Sequence, residues 1–139
     1  MEKEKDYVNP NPIKVGISIG DINGIGPEII MKVFKDPRMS IDCTPIIYGS
    51  TKVFAHYKKV LDENDFSYQS CKSASEAHSK KVNVVNAWQD DIAIEEGKMT
   101  EEGGKAAFAA LELATQELAS GKIDVLVTAP ISKEAIVKA

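Results

Sequence analysis

Histidine and cysteine are scarce in this chain of 139 residues. There are two of each, His56, His78, Cys43 and Cys71, and none stands at a C-x-x-C or H-x-x-x-H spacing. A metal site built from this chain alone is therefore not expected, and the cysteines read as reduced thiols. Positive charge is not in excess either: 17 Lys and Arg against 21 Asp and Glu leave a net charge of −4. That balance gives no support to nucleic-acid binding, which usually leaves a basic patch. No apolar run approaches the roughly 20 residues of a membrane span. Residues 1–12 are charged and then rich in Asn and Pro, without the apolar stretch of a signal peptide. They read as a disordered leader, and a cytoplasmic location is the default. With 43% hydrophobic and 27% charged residues, the remainder suits one globular domain of ordinary size.

What the chain does carry is an alternation of strand and helix patterns. Ile13, Val15, Ile17 and Ile19 alternate with Lys14, Gly16 and Ser18, predicting a strand with one small-residue face. Ile29, Ile30, Val33 and Phe34 predict one face of a helix that starts near Pro27 and stops at Asp36-Pro37. Residues 44–48 read as a second strand, and Val53, Phe54, Tyr57, Val60 and Leu61 repeat at helical spacing. Residues 70–80 are polar and predict an exposed loop or weak helix. Residues 82–87 predict a third strand, and the acidic stretch 90–100 a long connection. The clearest helix spans residues 101–120, with Phe108, Leu111, Thr115 and Leu118 on one face and alanines that allow close packing. Residues 123–127 are nearly all apolar, which predicts a fourth strand buried on both faces. Ser132 is suited to cap a last helix from Lys133. Strands alternating with helices imply right-handed crossovers, a largely parallel sheet and the α/β class. The chain ends soon after that helix begins, so it is expected to be the N-terminal part of something longer.

Three stretches carry candidate chemistry. In Gly20-Asp21-Ile22-Asn23-Gly24-Ile25-Gly26-Pro27-Glu28, a tight turn joins a strand to a helix. Ligands of open α/β sheets bind beyond the carboxyl ends of strands, and a helix N-terminus favours negative charge. Asp21 could order the turn or hydrogen-bond a ligand hydroxyl or amine, and Gly24 and Gly26 allow close approach. Equally, the glycines could serve only the turn, which lacks the G-x-G-x-x-G fingerprint. In Thr128-Ala129-Pro130-Ile131-Ser132-Lys133, Thr128, Ser132 and Lys133 could hold a phosphate or carboxylate, although spacing alone favours a helix cap with a solvated lysine. In Gly97-Lys98-Met99-Thr100-Glu101-Glu102-Gly103-Gly104, Thr100 is a candidate cap. Gly103 and Gly104 in the first turn then suggest close packing, the alternative being a loose turn. The pairs Asp90-Asp91, Glu95-Glu96 and Glu101-Glu102 read as a solvated acidic face, since neighbouring residues diverge. Trp88 reads as a packing residue.

In this order and at these distances, the three stretches resemble the 4-hydroxythreonine-4-phosphate dehydrogenase family of pyridoxal phosphate biosynthesis. The resemblance runs from about Ile13 to the end and covers the N-terminal portion of chains more than twice as long. The common form of the first turn has Pro where Ile22 stands. The resemblance implies a three-layer fold like that of isocitrate and isopropylmalate dehydrogenases, with only its N-terminal part, residues 13–139, present here. It also implies a homodimer that acts on a small phosphorylated hydroxy-amino acid, without nucleic acid or membrane partners. The expected reaction is NAD-dependent oxidation of 4-phosphooxy-L-threonine followed by decarboxylation, assisted by a divalent metal (Zn, Mg or Co). The metal ligands and a substrate-binding His-Thr pair are expected beyond Ala139, and His56 and His78 match neither. By analogy, Asp21, Asn23, Gly24 and Ile25 are expected at the nucleotide, and Thr128 and Lys133 near the substrate. Two other expectations stand beside this one. One is a related dehydrogenase of phospho-threonate or phospho-erythronate; the other is a free-standing α/β module that binds a nucleotide or phosphate without chemistry.

Overall fold

The computed structural model describes residues 12–139; the expected leader over residues 1–12 lies, all but Pro12, outside them. Five strands form one all-parallel sheet: β1 (Ile13–Ser18), β2 (Cys43–Gly49), β3 (Gln69–Cys71), β4 (Asn83–Asn86) and β5 (Val125–Thr128), in the order β3-β4-β2-β1-β5. Four α-helices follow the connections: α1 (Gly26–Phe34), α2 (Thr51–Leu61), α3 (Glu101–Ala119) and α4 (Lys133–Lys138). The β1–α1–β2 and β4–α3–β5 crossovers travel in opposite directions across the sheet. With both right-handed, they place α1 and α2 on one face and α3 on the other, giving three layers. The core follows these layers. Ile17, Ile19, Ile46, Ile47, Tyr48, Val84 and Val85 are buried in the sheet, with Ile30, Met31, Val53, Phe54 and Tyr57 from the first pair of helices.

Four sequence expectations change. Residues 70–80 are not simply a loop: Gln69–Cys71 form the edge strand β3, and Ala74–Glu76 form a 3-10 helix. The strand is too short for its period to register. Its support is tertiary: the buried Glu117 carboxylate accepts the Ala74 N–H at 2.9 Å, and Lys14 Nζ donates to the Ala74 carbonyl at 3.1 Å. Second, the buried face of α3 is the small one, with Gly103, Gly104, Ala106, Ala107, Ala110 and Ala114, while Phe108 and Leu118 are exposed. Close approach to the sheet outweighs side-chain size here. Third, β5 is not buried on both faces. It is the outer strand next to β1, and Val125 and Val127 are 42% and 50% exposed. In α1 the inward residues are Pro27, Ile30 and Met31, and Ile29 and Val33 of the expected face point outward.

The caps follow the sequence closely. Ser50, Thr100 and Ser132 each accept a backbone N–H in the first turn of α2, α3 and α4. Gly104 shows why the first turn of α3 is glycine-rich. A Cβ at this position would collide with the backbone carbonyl of Ala135, so α3 and α4 meet almost backbone to backbone. Gly104→Ala should therefore destabilise the protein by about 1–3 kcal/mol, because overpacking outweighs the gain in helix propensity. Urea unfolding should show a lower midpoint with an unchanged slope. An unchanged midpoint would mean that the helices are free to separate.

Candidate functional site

The parallel pairing of β1 with β5 brings two of the three stretches side by side. Ser18 lies opposite Thr128, so the turn after β1 and the turn after β5 leave the same carboxyl edge together. β1 connects towards β2, whereas β5 lies on the opposite side of β1, so the strand order reverses between them. Such a reversal opens the crevice in which α/β proteins hold ligands. The two turns are stitched by backbone: the Asp21 N–H donates to the Pro130 carbonyl at 2.9 Å, and the Ala129 N–H donates to the Ser18 carbonyl at 3.1 Å. Gly20 makes this approach possible. Its φ of 76° is in the left-handed region, and a Cβ would strike the Pro130 carbonyl.

The expected residues divide by what they touch. Asp21 is half-buried; its Oδ1 accepts the Asn23 N–H at 3.0 Å and orders the turn. Gly24 donates its N–H to the Asp21 carbonyl at 3.1 Å, and a Cβ on it would stand 2.9 Å from Asp21 Oδ2. Ile25 is 59% exposed at the start of α1, where its side chain makes no capping bond. Thr128 is exposed at the end of β5, and Lys133 is exposed at the start of α4, just after the capping Ser132. Among the described residues Lys133 makes no ion pair, unlike Glu28 and Lys32, which pair at 2.8 Å on α1. Asn23 differs from all of these. It is 3% exposed and spends its polar atoms inside the chain. Its Oδ1 accepts the Glu95 N–H at 2.9 Å, its Nδ2 donates to Thr100 Oγ1 at 3.1 Å, and its carbonyl accepts the Gly97 N–H at 2.7 Å. The sequence offered no sign of this, because the partners lie more than seventy positions away.

Those bonds draw the third stretch to the same edge. Residues 87–100, without regular secondary structure, cross the carboxyl end of the sheet between β4 and α3. A 14-residue unstructured connection, the span from 87 to 100, is of the length that usually carries function in a compact domain. Trp88 packs partly buried against the core, and Lys52 and His56 of α2 pair with Asp91 and Glu96 of the connection. The acidic pairs in and after it are exposed, as their pattern suggested.

Charge around the first turn is mixed. Burial pushes the Tyr57 hydroxyl up to about 12, and the carboxylates of Glu96, Asp21 and Glu28 add to the shift. A carboxylate at this turn suits a ligand hydroxyl or amine, as an acceptor, better than it suits a bare phosphate. The positive groups lie on the other turn, at Lys133, and on the connection, at Lys98. Among the described residues no group of three His, Cys, Asp or Glu is placed to hold a metal ion. Among the same residues no helix is long and apolar enough to cross a membrane.

Tyr57 also braces the turn, since its hydroxyl donates to the Ile22 carbonyl. Tyr57→Phe should cost about 1–2 kcal/mol, because it leaves that buried carbonyl unpaired. The raised hydroxyl has a second consequence. An unfolded tyrosine titrates near 10, so stability from Tyr57 is full below about pH 10 and is lost as pH rises through about 12. Tyrosinate absorbance during alkaline unfolding should show this step in the parent protein and lose it in Tyr57→Phe. A parent protein whose stability is level from pH 10 to 12 would contradict this.

The model of the family described as pyridoxal phosphate biosynthetic protein PdxA matches residues 41–139. A 4-hydroxythreonine-4-phosphate dehydrogenase of Bacteroides thetaiotaomicron is 50% identical over 127 residues, which cover 91% of this chain and 34% of that protein. A protein of Oceanobacillus iheyensis, provisionally named D-threonate 4-phosphate dehydrogenase, is 33% identical over 89% of this chain and 38% of its own length. Among solved structures, a 4-hydroxythreonine-4-phosphate dehydrogenase of Burkholderia phymatum superposes with a TM-score of 0.79 at 26% identity, covering 92% of this chain and 39% of that one. The chain thus spans between a third and two-fifths of the length of these relatives. The family match over residues 41–139 and the three-layer parallel sheet agree: this chain belongs to the PdxA family of pyridoxal phosphate biosynthetic proteins.

Proposed function

We propose that the protein carrying this chain is an NAD-dependent 4-hydroxythreonine-4-phosphate dehydrogenase. It oxidises the hydroxyl of 4-phosphooxy-L-threonine and releases carbon dioxide from the resulting β-keto acid, leaving 3-amino-2-oxopropyl phosphate for pyridoxal phosphate biosynthesis. The observation that carries this reading is the 50% identity to the Bacteroides dehydrogenase, which runs over 91% of the chain and so through the crevice-forming part of the fold. The homodimer and the divalent metal belong to the same reading and rest on the resemblance. The described residues do not fit a metal, and no step of the chemistry is assigned to one here.

NAD fits the β1 edge of the crevice. Asp21 has one carboxylate oxygen engaged with the turn and the other available to accept from a ribose hydroxyl. Gly24 keeps the turn low, and the exposed Ile25 offers an apolar surface beside it. When bound, NAD supplies the acceptor for the hydride that leaves the alcohol carbon. On the β5 edge, Thr128 can donate to a substrate oxygen, and Lys133 places a positive charge where a phosphate or carboxylate would rest. The two edges hold nucleotide and substrate at a fixed separation because the turns are hydrogen-bonded to each other.

A second reading is favoured by the 33% identical relative named for D-threonate 4-phosphate: the substrate would then lack the amino group. One assay separates them. The complete protein is given NAD, a divalent metal and either 4-phosphooxy-L-threonine or phospho-D-threonate, and NADH absorbance is followed. Faster turnover of the amino acid, abolished by a chelator, is expected; turnover of phospho-threonate alone would establish the second reading, and NADH from neither would refute both. Asp21→Asn preserves the turn-ordering acceptor and removes the charge. It should weaken NAD binding about tenfold, the loss of one charge-assisted hydrogen bond. Unchanged affinity with unchanged stability would leave Asp21 with a purely structural role.

A further inference from the structure

Asn23 stands next to the residue that would hold the nucleotide, yet none of its polar groups faces outward. Its N–H donates to Asp21 Oδ1, its carbonyl accepts from Gly97, its Oδ1 accepts from Glu95 and its Nδ2 donates to Thr100. Thr100 Oγ1 in turn accepts the Gly103 N–H at 3.0 Å and so caps α3. One buried side chain therefore ties together the Asp21 turn, the end of the 87–100 connection and the first turn of the longest helix. Trp88, Ile92 and Ile94 pack the connection against the core, and its other side-chain polar contacts are weaker. Lys52–Asp91 is an ion pair and His56 Nε2 contacts Glu96, with side chains 37% to 86% exposed, and such exposed contacts contribute little. Hydrogen bonds closed on a buried amide are shielded from water and cannot be exchanged for it without opening the turn.

We propose that Asn23 is a positioning residue that couples nucleotide binding to the order of the connection. Because its own N–H rests on the Asp21 carboxylate, any ligand that fixes Asp21 also fixes the Asn23 backbone. The two bonds to residues 95 and 97 then tighten with it. Ligand at the turn and tightening of the connection, whose bonds to Asn23 are already formed without it, thus favour one another. This inference rests on the nucleotide reading of the Asp21 turn given above.

Amide hydrogen exchange on the complete protein tests it, with NAD as the probe. In the parent protein NAD should slow exchange at Glu95 and Gly97. In Asn23→Ala the Glu95 amide, whose acceptor is the removed side chain, should exchange at least about tenfold faster and lose its protection by NAD, with the amides of β1 and β2 unchanged. In the coupled assay, KM for NAD should rise about tenfold, the loss of two hydrogen bonds that hold the turn, with a smaller change in kcat. Thr100→Ala removes the other arm of the network and reports if Asn23→Ala fails to fold: it should speed exchange at Gly103 and give part of the KM effect. Thr100→Ser should restore both. NAD protection of the Glu95 amide that persists in Asn23→Ala, or an unchanged KM in both variants, would overturn the proposal. Failure of the activity itself would look different. No NADH would form with the parent protein, and NAD would protect no amide of the turn or the connection, which would overturn the coupling as well.

Discussion

The pairing of β1 with β5 is the constraint on which the rest depends. Two turns that are far apart in the chain become neighbours because Ser18 and Thr128 share a register position in adjacent parallel strands. Parallel strands require crossovers, and the right-handed rule sends the crossover carrying α3 to the face opposite α1 and α2. The strand order therefore reverses at β1, and the reversal leaves a crevice. The Gly20 conformation, the Asp21-to-Pro130 hydrogen bond and the placement of Lys133 at the start of α4 are all consequences of holding two turns against one another at that edge.

Much of this was legible in the residues, and the parts that were not share a cause. The period-two run at Ile13–Ser18 and the serine and threonine caps are local devices, so the chain announces them. Gly103 and Gly104 also announced themselves, since glycines in a first helical turn need a reason, and the Ala135 carbonyl is that reason at Gly104. Where reading failed, a neighbour from elsewhere decided the outcome. β3 is an edge strand of three residues, and its neighbourhood is held by Glu117 and Lys14. Among the described residues β5 is the outer strand, so its apolar run is exposed rather than covered on both faces. In α3 the larger side chains drew attention, whereas the small ones allowed the helix to approach the sheet.

The candidate site divides in the same way. Asp21, Thr128 and Lys133 lie at the shared edge, as a strand-to-turn reading would place them. Asn23 sits among them in sequence and differs from them in what its polar atoms touch. Its type and position suit a ligand contact, yet its neighbours claim every polar atom it has. Only the tertiary partners at residues 95, 97 and 100 reveal this. One turn thus contains a residue whose side chain is half-exposed, Asp21, and one turned wholly into the protein, Asn23, and the sequence pattern does not distinguish them.

The backbone contact between Gly104 and Ala135 carries a consequence for how this chain can vary. Because α4 rests directly on α3, the start of α4, and Lys133 with it, takes its position from the backbone contact at Gly104. A family member could change the residues that line the crevice and alter its specificity by small steps. It could not change position 104 in that way, because any side chain there moves Lys133 as a unit with its helix. Residue 104 therefore links the packing of two helices to the position of a charged side chain at the sheet edge.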